Sequence, residues 1–208
     1  MAGRRFFLVF SVVISLVMTG CTAFKQSKLV VDPGSVPPGT KVTRKGEEIG
    51  LLGNPIATGM KLPATDLIDA MTMQEVDLSK KKGKVLFLSI VPSIDTKVCE
   101  AQTHLLAEEG DRMSSEVERI TISRDTPFAQ KRFSGEAKLT DIRYLSDYKE
   151  GAFGRAMGLL MDGPRLLARS VILVDRHGIV RYIQIVPEIT NLPDMEKAFD
   201  EAQKIVHE

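Results

Sequence analysis

The chain is poor in the residue types that would settle its chemistry at a glance: two cysteines, three histidines and no tryptophan in 208 residues. Two cysteines cannot build the disulfide framework that staples small secreted domains, so Cys21 and Cys99 each need their own explanation. His104, His177 and His207 are far apart in sequence, and none stands at metal-ligand spacing from a cysteine or from another histidine. No metal site and no cofactor is therefore expected. An excess of charge of one sign is missing too. Removing Arg4 and Arg5 with the segment that carries them leaves 26 basic against 27 acidic residues, which gives no electrostatic case for a nucleic-acid partner. The apolar run from Phe6 to Val17, broken only by Ser11 and Ser15, falls short of the roughly 20 residues that span a bilayer. No internal repeat is visible.

That N-terminal run nevertheless carries information. Arg4 and Arg5 precede it and Met18-Thr19-Gly20-Cys21 follows it, which reads as a secretory signal over residues 1–20 with a processing site. The cysteine after Thr19-Gly20 resembles the lipobox of bacterial lipoproteins, with Met18 where leucine is usual. That resemblance implies a diacylglyceryl thioether on Cys21, which would remove this sulfur from redox chemistry and fix the chain to a membrane of the cell envelope. Thr22 in place of aspartate points to the periplasmic face of an outer membrane where the organism has one. An ordinary cleaved signal with an incidental cysteine, or an uncleaved span, are the alternatives. Residues 21–40 are polar and rich in breakers, Asp32-Pro33-Gly34-Ser35-Val36-Pro37-Pro38-Gly39 among them, and read as a flexible tether.

The remaining residues, 41–208, read as one domain. Lys41 to Arg44 and Ile49 to Gly53 suggest a hairpin about a glycine-containing turn. Val85 to Val91 is an apolar run of strand length that ends at Pro92, which cannot donate to a sheet ladder. Ala101 to Glu109 reads as helix and stops at Gly110. Val117 to Ser123 alternates like a strand, Pro127 to Phe133 is helical, and Ile142 to Leu145 is a short strand. Arg169 to Val174 and Ile179 to Val186 form two strands joined by the turn Asp175-Arg176-His177-Gly178. Pro193 to Val206 is an amphipathic helix with Pro193 in its first turn and Met195, Phe199, Ala202 and Val206 on one face. Strands interleaved with helices, plus two hairpins, define an α/β class with a central mixed sheet covered by helices on both faces.

Cys99 lies where a strand turns into a helix. With Thr96 as the N-cap, Cys99 falls in the first helical turn, where amides lack intrahelical acceptors and the helix dipole favours negative charge. A thiol so placed is driven toward thiolate, the nucleophilic form. The alternative for an isolated cysteine is a small apolar core residue. Thr96 taken alone is a structural cap, and Pro92 alone a strand terminator. The spacing Thr96-Lys97-Val98-Cys99 copies the C-x-x-C turn of redox proteins but puts a hydroxyl where the first sulfur would be, which argues against disulfide exchange within the motif.

Pro92-Ser93-Ile94-Asp95-Thr96-Lys97-Val98-Cys99 resembles the active-site loop of peroxiredoxins, and in its P-S-I-D-T-x-V-C form that of their thiol peroxidase branch. The resemblance continues through Gly53-Asn54-Pro55, Thr126 to Phe133, Asp162-Gly163-Pro164, Leu167-Ala168-Arg169 and Val186 to Thr190, and so covers about residues 50 to 205. It implies a thioredoxin-like fold, a homodimer, and a cysteine thiolate that reduces a hydroperoxide and becomes sulfenic acid. Carried to matching positions, Cys99 is the attacking nucleophile, Thr96 orients the peroxide, Pro92 shields the site from water, and Arg169 stabilises negative charge. Without the resemblance, Arg169 would simply be a charge at the start of a strand.

One position departs from the branch. Its resolving cysteine belongs where this chain has Ser134, and serine cannot condense with a sulfenic acid. A one-cysteine cycle completed by an external thiol or a thioredoxin-like protein is expected. A lipid-anchored peroxide sensor or redox relay with little turnover is the second reading, and a surface lipoprotein that keeps only the fold is the third.

Overall fold

The computed structural model describes residues 29–108 and 112–208. The signal segment 1–20, Cys21 and the expected helix stop at Gly110 lie outside the described residues. In chain order the elements are β1 (Val31–Asp32), β2 (Lys41–Arg44), β3 (Glu47–Leu52), β4 (Leu67–Asp69), β5 (Glu75–Val76), β6 (Val85–Ile90), α1 (Lys97–Glu108) and β7 (Val117–Ser123). They continue with α2 (Pro127–Ala137), β8 (Arg143–Ser146), α3 (Ala152–Met157), β9 (Leu160–Met161), β10 (Ser170–Val174), β11 (Val180–Ile185), β12 (Leu192–Pro193) and α4 (Met195–Val206).

Seven strands form the central sheet in the order β11-β10-β6-β7-β8-β4-β5. The pairs β6·β7 and β7·β8 are parallel, and β10 and β11 join antiparallel on one side. The sheet is thus mixed. All six residues of β6 are buried, which is why its sequence shows a continuous apolar run rather than alternation. Its side chains divide between two cores. Leu86, Leu88 and Ile90 pack with Ile120, Ile172, Phe153 and Met157, whereas Val85 and Phe87 pack with Leu106, Leu173, Phe199 and Ala202. α1 and α4 therefore cover one face. The other face is covered by α3 together with a three-stranded sheet, β2-β3-β9.

The β2–β3 hairpin turns on Lys45-Gly46, both at positive φ (53° and 83°). Two such residues make a primed turn whose twist matches the strands, so Glu47 and Glu48 belong to the strand rather than to the loop. At the far end of β3, Gly53 has φ 110°, and a Cβ there would lie 1.9 Å from the Arg155 carbonyl oxygen. Only glycine permits this approach, and it lets Asn54 N–H donate to that carbonyl (2.7 Å).

Two expectations are corrected. Residues 29–40 are not tether: β1 pairs in parallel with β12, Val36 N–H donates to the Ile185 carbonyl (3.0 Å), and the Gln184 amide donates to the Asp32 and Gly34 carbonyls (2.8 and 3.1 Å). A proline-rich segment has few amides to satisfy and settles as an extended strap along a sheet edge. The folded unit therefore begins at least as early as these residues. Pro193 does not open the last helix either. It lies in β12, and α4 is capped by Asp194, whose carboxylate accepts from Lys197 N–H (3.1 Å). The face formed by Met195, Phe199, Ala202 and Val206 is buried as its spacing predicts. Helix α2 runs one turn beyond Phe133, and α3, β4, β5 and β9 have no counterpart in the sequence reading.

Candidate active site

The loop 91–96 between β6 and α1 is held by its backbone and by one carboxylate. Val91 N–H continues the parallel ladder to the Ile122 carbonyl (3.0 Å). Asp125, at the end of β7, accepts from the Ser93 hydroxyl (2.7 Å) and Ile94 N–H (2.8 Å). These contacts fix where α1 begins. Thr96 sits at the N-cap position, one residue before Lys97, and its carbonyl accepts from Glu100 N–H (2.9 Å). Cys99 is then the third helical residue.

The Thr96 side chain does not spend itself as an ordinary cap. Its Oγ1 lies 2.9 Å from Cys99 Sγ and 3.3 Å from the Ser93 carbonyl. A hydroxyl has one proton, and the shorter contact is with the sulfur. From the opposite side the Arg169 guanidinium places Nη2 3.2 Å from the same sulfur. β10 runs antiparallel to β6 with Ser170 opposite Ile90, so Arg169 emerges level with the loop that follows β6. Its Nε donates to the Ile189 carbonyl (2.8 Å) and Nη1 to Gln102 Oε1 (2.8 Å).

Arg169 is 2 % exposed and among the described residues has no carboxylate partner. A buried cation without a counter-ion is costly. The one group touching it that can become an anion is the Cys99 sulfur. The geometry thus favours a sulfur that carries negative charge, with a hydroxyl and a guanidinium converging on it.

Cys99 itself has no exposed surface and packs with Val91, Ile94 and Phe133. Thr96 and Arg169, its two polar contacts, line a cleft of about 220 Å³ together with Pro92, Arg44, Ile49, Val98, Met161, Leu166 and Ile189. Pro92 is buried at its edge. Pro92, Thr96 and Cys99, neighbours in one motif, therefore meet Arg169, 70 residues beyond Cys99, at one place. Ser134 does not join them. It lies in α2, 1 % exposed, and donates to the Leu139 carbonyl (2.9 Å).

Three positioning residues escape a reading by motif. Gln102 is wholly buried, and its amide donates to the Ser89 hydroxyl (2.8 Å) while its oxygen receives Arg169. Its signal is a polar residue three positions after Cys99, on the same helical stripe. Asp125 is the second, visible only as a carboxylate just before the helix that starts at Pro127. The third is Glu188, which accepts from Thr43 Oγ1 (3.0 Å), Lys45 N–H (3.0 Å), Gly46 N–H (3.1 Å), Thr190 N–H (3.2 Å) and Thr190 Oγ1 (2.7 Å). Partial burial pushes this carboxyl up, but the donors from Thr190, Lys45 and Gly46 outweigh it and bring it down to about 2. Glu188 thereby ties the β2–β3 hairpin to the loop whose Ile189 carbonyl holds Arg169.

Known proteins share both the sequence and the fold that build this site. Residues 57–199 match the redoxin family. The chain is 43% identical over 162 residues to a thiol peroxidase of Halalkalibacterium halodurans, covering 78% of this chain and 96% of that one. To the thiol peroxidase of Bacillus subtilis it is 39% identical over 166 residues, covering 80% and 98%. A peroxiredoxin-like protein from Aquifex aeolicus superposes with a TM-score of 0.75 at 30% identity over 81% of this chain and 98% of that one. The thiol peroxidase from Chromobacterium violaceum shares the fold with a TM-score of 0.69 at 20% identity, over 80% and 95%. The chain belongs to the redoxin family and has the thioredoxin-like fold of peroxiredoxins. Within that family it is a thiol peroxidase, an enzyme that reduces peroxides at the expense of thiols.

Proposed function

We propose that Cys99 is the peroxide-attacking nucleophile and that the cycle uses this one cysteine. The thiolate attacks the outer peroxide oxygen, the O–O bond breaks, alkoxide or hydroxide leaves as alcohol or water, and Cys99 becomes sulfenic acid. Arg169 stabilises the thiolate and the charge that develops on the departing oxygen, Thr96 orients the peroxide, and Pro92 keeps water from the sulfur. The observation that carries this reading is the convergence of Thr96 Oγ1 at 2.9 Å and Arg169 Nη2 at 3.2 Å on one sulfur.

Ser134 cannot form a disulfide, so an external thiol or thioredoxin-like protein returns Cys99 to the thiolate. The signal-like segment 1–20 and Cys21 support a lipid-anchored protein of the cell envelope, on the periplasmic side of an outer membrane where one exists. The family expectation of a homodimer is part of the same proposal. Mass spectrometry of membrane-derived protein tests the anchor, which requires a diacylglyceryl mass on Cys21. Turnover is tested by peroxide consumption with excess reductant: steady consumption supports the enzyme cycle. A single stoichiometric oxidation with every reductant supports the sensor, and an abundant Cys21–Cys99 disulfide defeats the one-cysteine cycle.

A further inference from the structure

We propose that the exposed edge of β1, Leu29-Val30-Val31, is a membrane-docking surface that rests in the lipid headgroup boundary and holds the folded domain in one orientation on the bilayer. The inference rests on the lipid anchor at Cys21 proposed above and adds to it a second, non-covalent point of attachment. Three observations carry it: where the apolar residues stand, what charge accompanies them, and how short a stretch separates them from Cys21.

Leu29, Val30 and Val31 are 37%, 57% and 53% exposed. Elsewhere among the described residues, exposed large apolar side chains stand singly or, at Met71 and Met73, as a near pair. A contiguous apolar cluster marks an interaction surface, whereas single exposed residues are ordinary. β1 is hydrogen-bonded along one edge only, to the buried β12, where Leu192 N–H donates to the Val30 carbonyl (2.7 Å). Successive side chains of a strand point to opposite faces, so Val30 and Val31 leave both faces of β1 apolar and open. Such a ridge suits edge-on entry into the boundary between headgroups and acyl chains, where lipid meets both faces at a depth of roughly 5–10 Å. A flat protein partner would cover one face and leave the other in water.

The charge agrees with a lipid surface. Between Cys21 and Val31 the sequence holds Lys25 and Lys28 and no acidic residue, and basic residues beside an apolar segment strengthen binding to anionic lipid. The first acid is Asp32, and its carboxylate is turned onto the fold, accepting from Gly34 N–H (2.9 Å) and from the Asn191 amide (3.4 Å). These contacts make the ridge part of the domain. Asn191 and Leu192 follow closely on Ile189, whose carbonyl receives Arg169, so an orientation imposed at β1 is passed to the loop beside the site.

Length completes the case. Leu29 follows Cys21 by eight residues, and a stretch of that length reaches at most about 30 Å when fully extended. A tether running to residue 40 would let the domain stand well away from the membrane, but residues 29–40 are folded onto the sheet edge. A lipid on Cys21 therefore keeps the ridge close to the bilayer at all times. Contact is then intramolecular, at an effective concentration on the order of millimolar for a short linker. Three apolar side chains, too few to recruit a free protein, suffice to orient a tethered one.

The chain has no tryptophan, which makes one introduced indole a clean reporter. Membrane-derived mature protein carrying Val30→Trp is reconstituted in vesicles of phosphatidylcholine and phosphatidylglycerol, with and without bromine on the acyl chains. Met71→Trp is the control: it is also exposed, and it lies in the β4–β5 turn at the end of the central sheet opposite β11, along which the strap runs. The proposal expects the Val30→Trp emission to shift to the blue and to be quenched by brominated lipid several-fold more than that of Met71→Trp. Adding Val31→Asp to the Val30→Trp chain should remove most of that quenching while flotation with the vesicles is unchanged. Equal quenching of both reporters, or of neither, in protein that floats and carries the diacylglyceryl mass on Cys21 overturns the docking surface and leaves the anchor standing. A blue shift that grows with protein density in the vesicles and is not quenched by brominated lipid assigns the ridge to a second copy of the chain and overturns the proposal too. If Cys21 carries no lipid and the protein does not float, the anchor falls and the docking proposal falls with it.

Discussion

Cys99 and Ser134 occupy comparable settings and are used in opposite ways. Both are small, buried residues on helices that flank the same sheet. At Cys99 the surroundings supply donors, a hydroxyl at 2.9 Å and a guanidinium at 3.2 Å, and the side chain has only to accept. At Ser134 they supply an acceptor, the Leu139 carbonyl at 2.9 Å just beyond the end of α2, which also receives the Tyr144 hydroxyl (3.0 Å). The Ser134 carbonyl in turn accepts from Leu139 N–H (3.1 Å). One site is built to hold a negative charge. The other closes a helix, and a thiol there would be a poor replacement for the hydroxyl because sulfur is a weak donor. Ser134 is thus part of the hydrogen bonding that ends α2.

The sharpest way to break this contrast is to exchange the sulfur itself. Cys99→Ser should abolish peroxide consumption in a stopped-flow assay, because a hydroxyl beside Arg169 is no nucleophile at neutral pH. Arg169→Met should slow oxidation of Cys99 about 10²-fold, the scale of losing one charge-stabilising donor, read as the second-order rate with hydrogen peroxide. Gln102→Leu should cost roughly tenfold in the same rate, because Arg169 loses the oxygen that aims it, and about 1–3 kcal/mol in stability from unpaired buried groups.

On the other side of the comparison the effects are structural. Ser134→Ala should cost about 0.5–1.5 kcal/mol in urea unfolding, while the oxidation rate of Cys99 stays within twofold. The smallest effect concerns Glu188. Its carboxyl lies below its ordinary value of 4.5, at about 2, so the stability it adds is complete above about pH 4.5 and is lost as pH falls toward about 2. With solvent screening discounted, that is about 1 kcal/mol, and Glu188→Gln should remove this part of the acid dependence of unfolding.

The site was legible where spacing is local, and less so where partners come from afar. The turn Pro92 to Cys99 can be read from eight consecutive positions because strand, cap and helix follow one another within a single motif. Arg169 reads alone as a charge before a strand. Its function depends on the antiparallel register of β10 against β6, which periodicity cannot supply. Gln102, Asp125 and Glu188 act across 67, 31 and 143 residues of chain respectively, and nothing local announces them. The fold follows the same rule. β6, β7, β10, β11 and α4 bury strongly periodic or wholly apolar sequence. By contrast β4, β5 and β9 are two or three residues long, and α3 is a six-residue helix between glycines at 151 and 158. Elements so short owe their existence to tertiary pairing. The strap 29–40 misleads for a related reason: proline and glycine spell flexibility until a sheet edge supplies hydrogen bonds.

The proposed chemistry turns on the fate of one sulfur. Protein treated with a single equivalent of hydrogen peroxide and a dimedone-type reagent, then digested and analysed by mass spectrometry, should carry one adduct, on Cys99, and lose it when thiol is added before the reagent. An unmodified Cys99 after peroxide consumption, or a disulfide in place of the adduct, would contradict it.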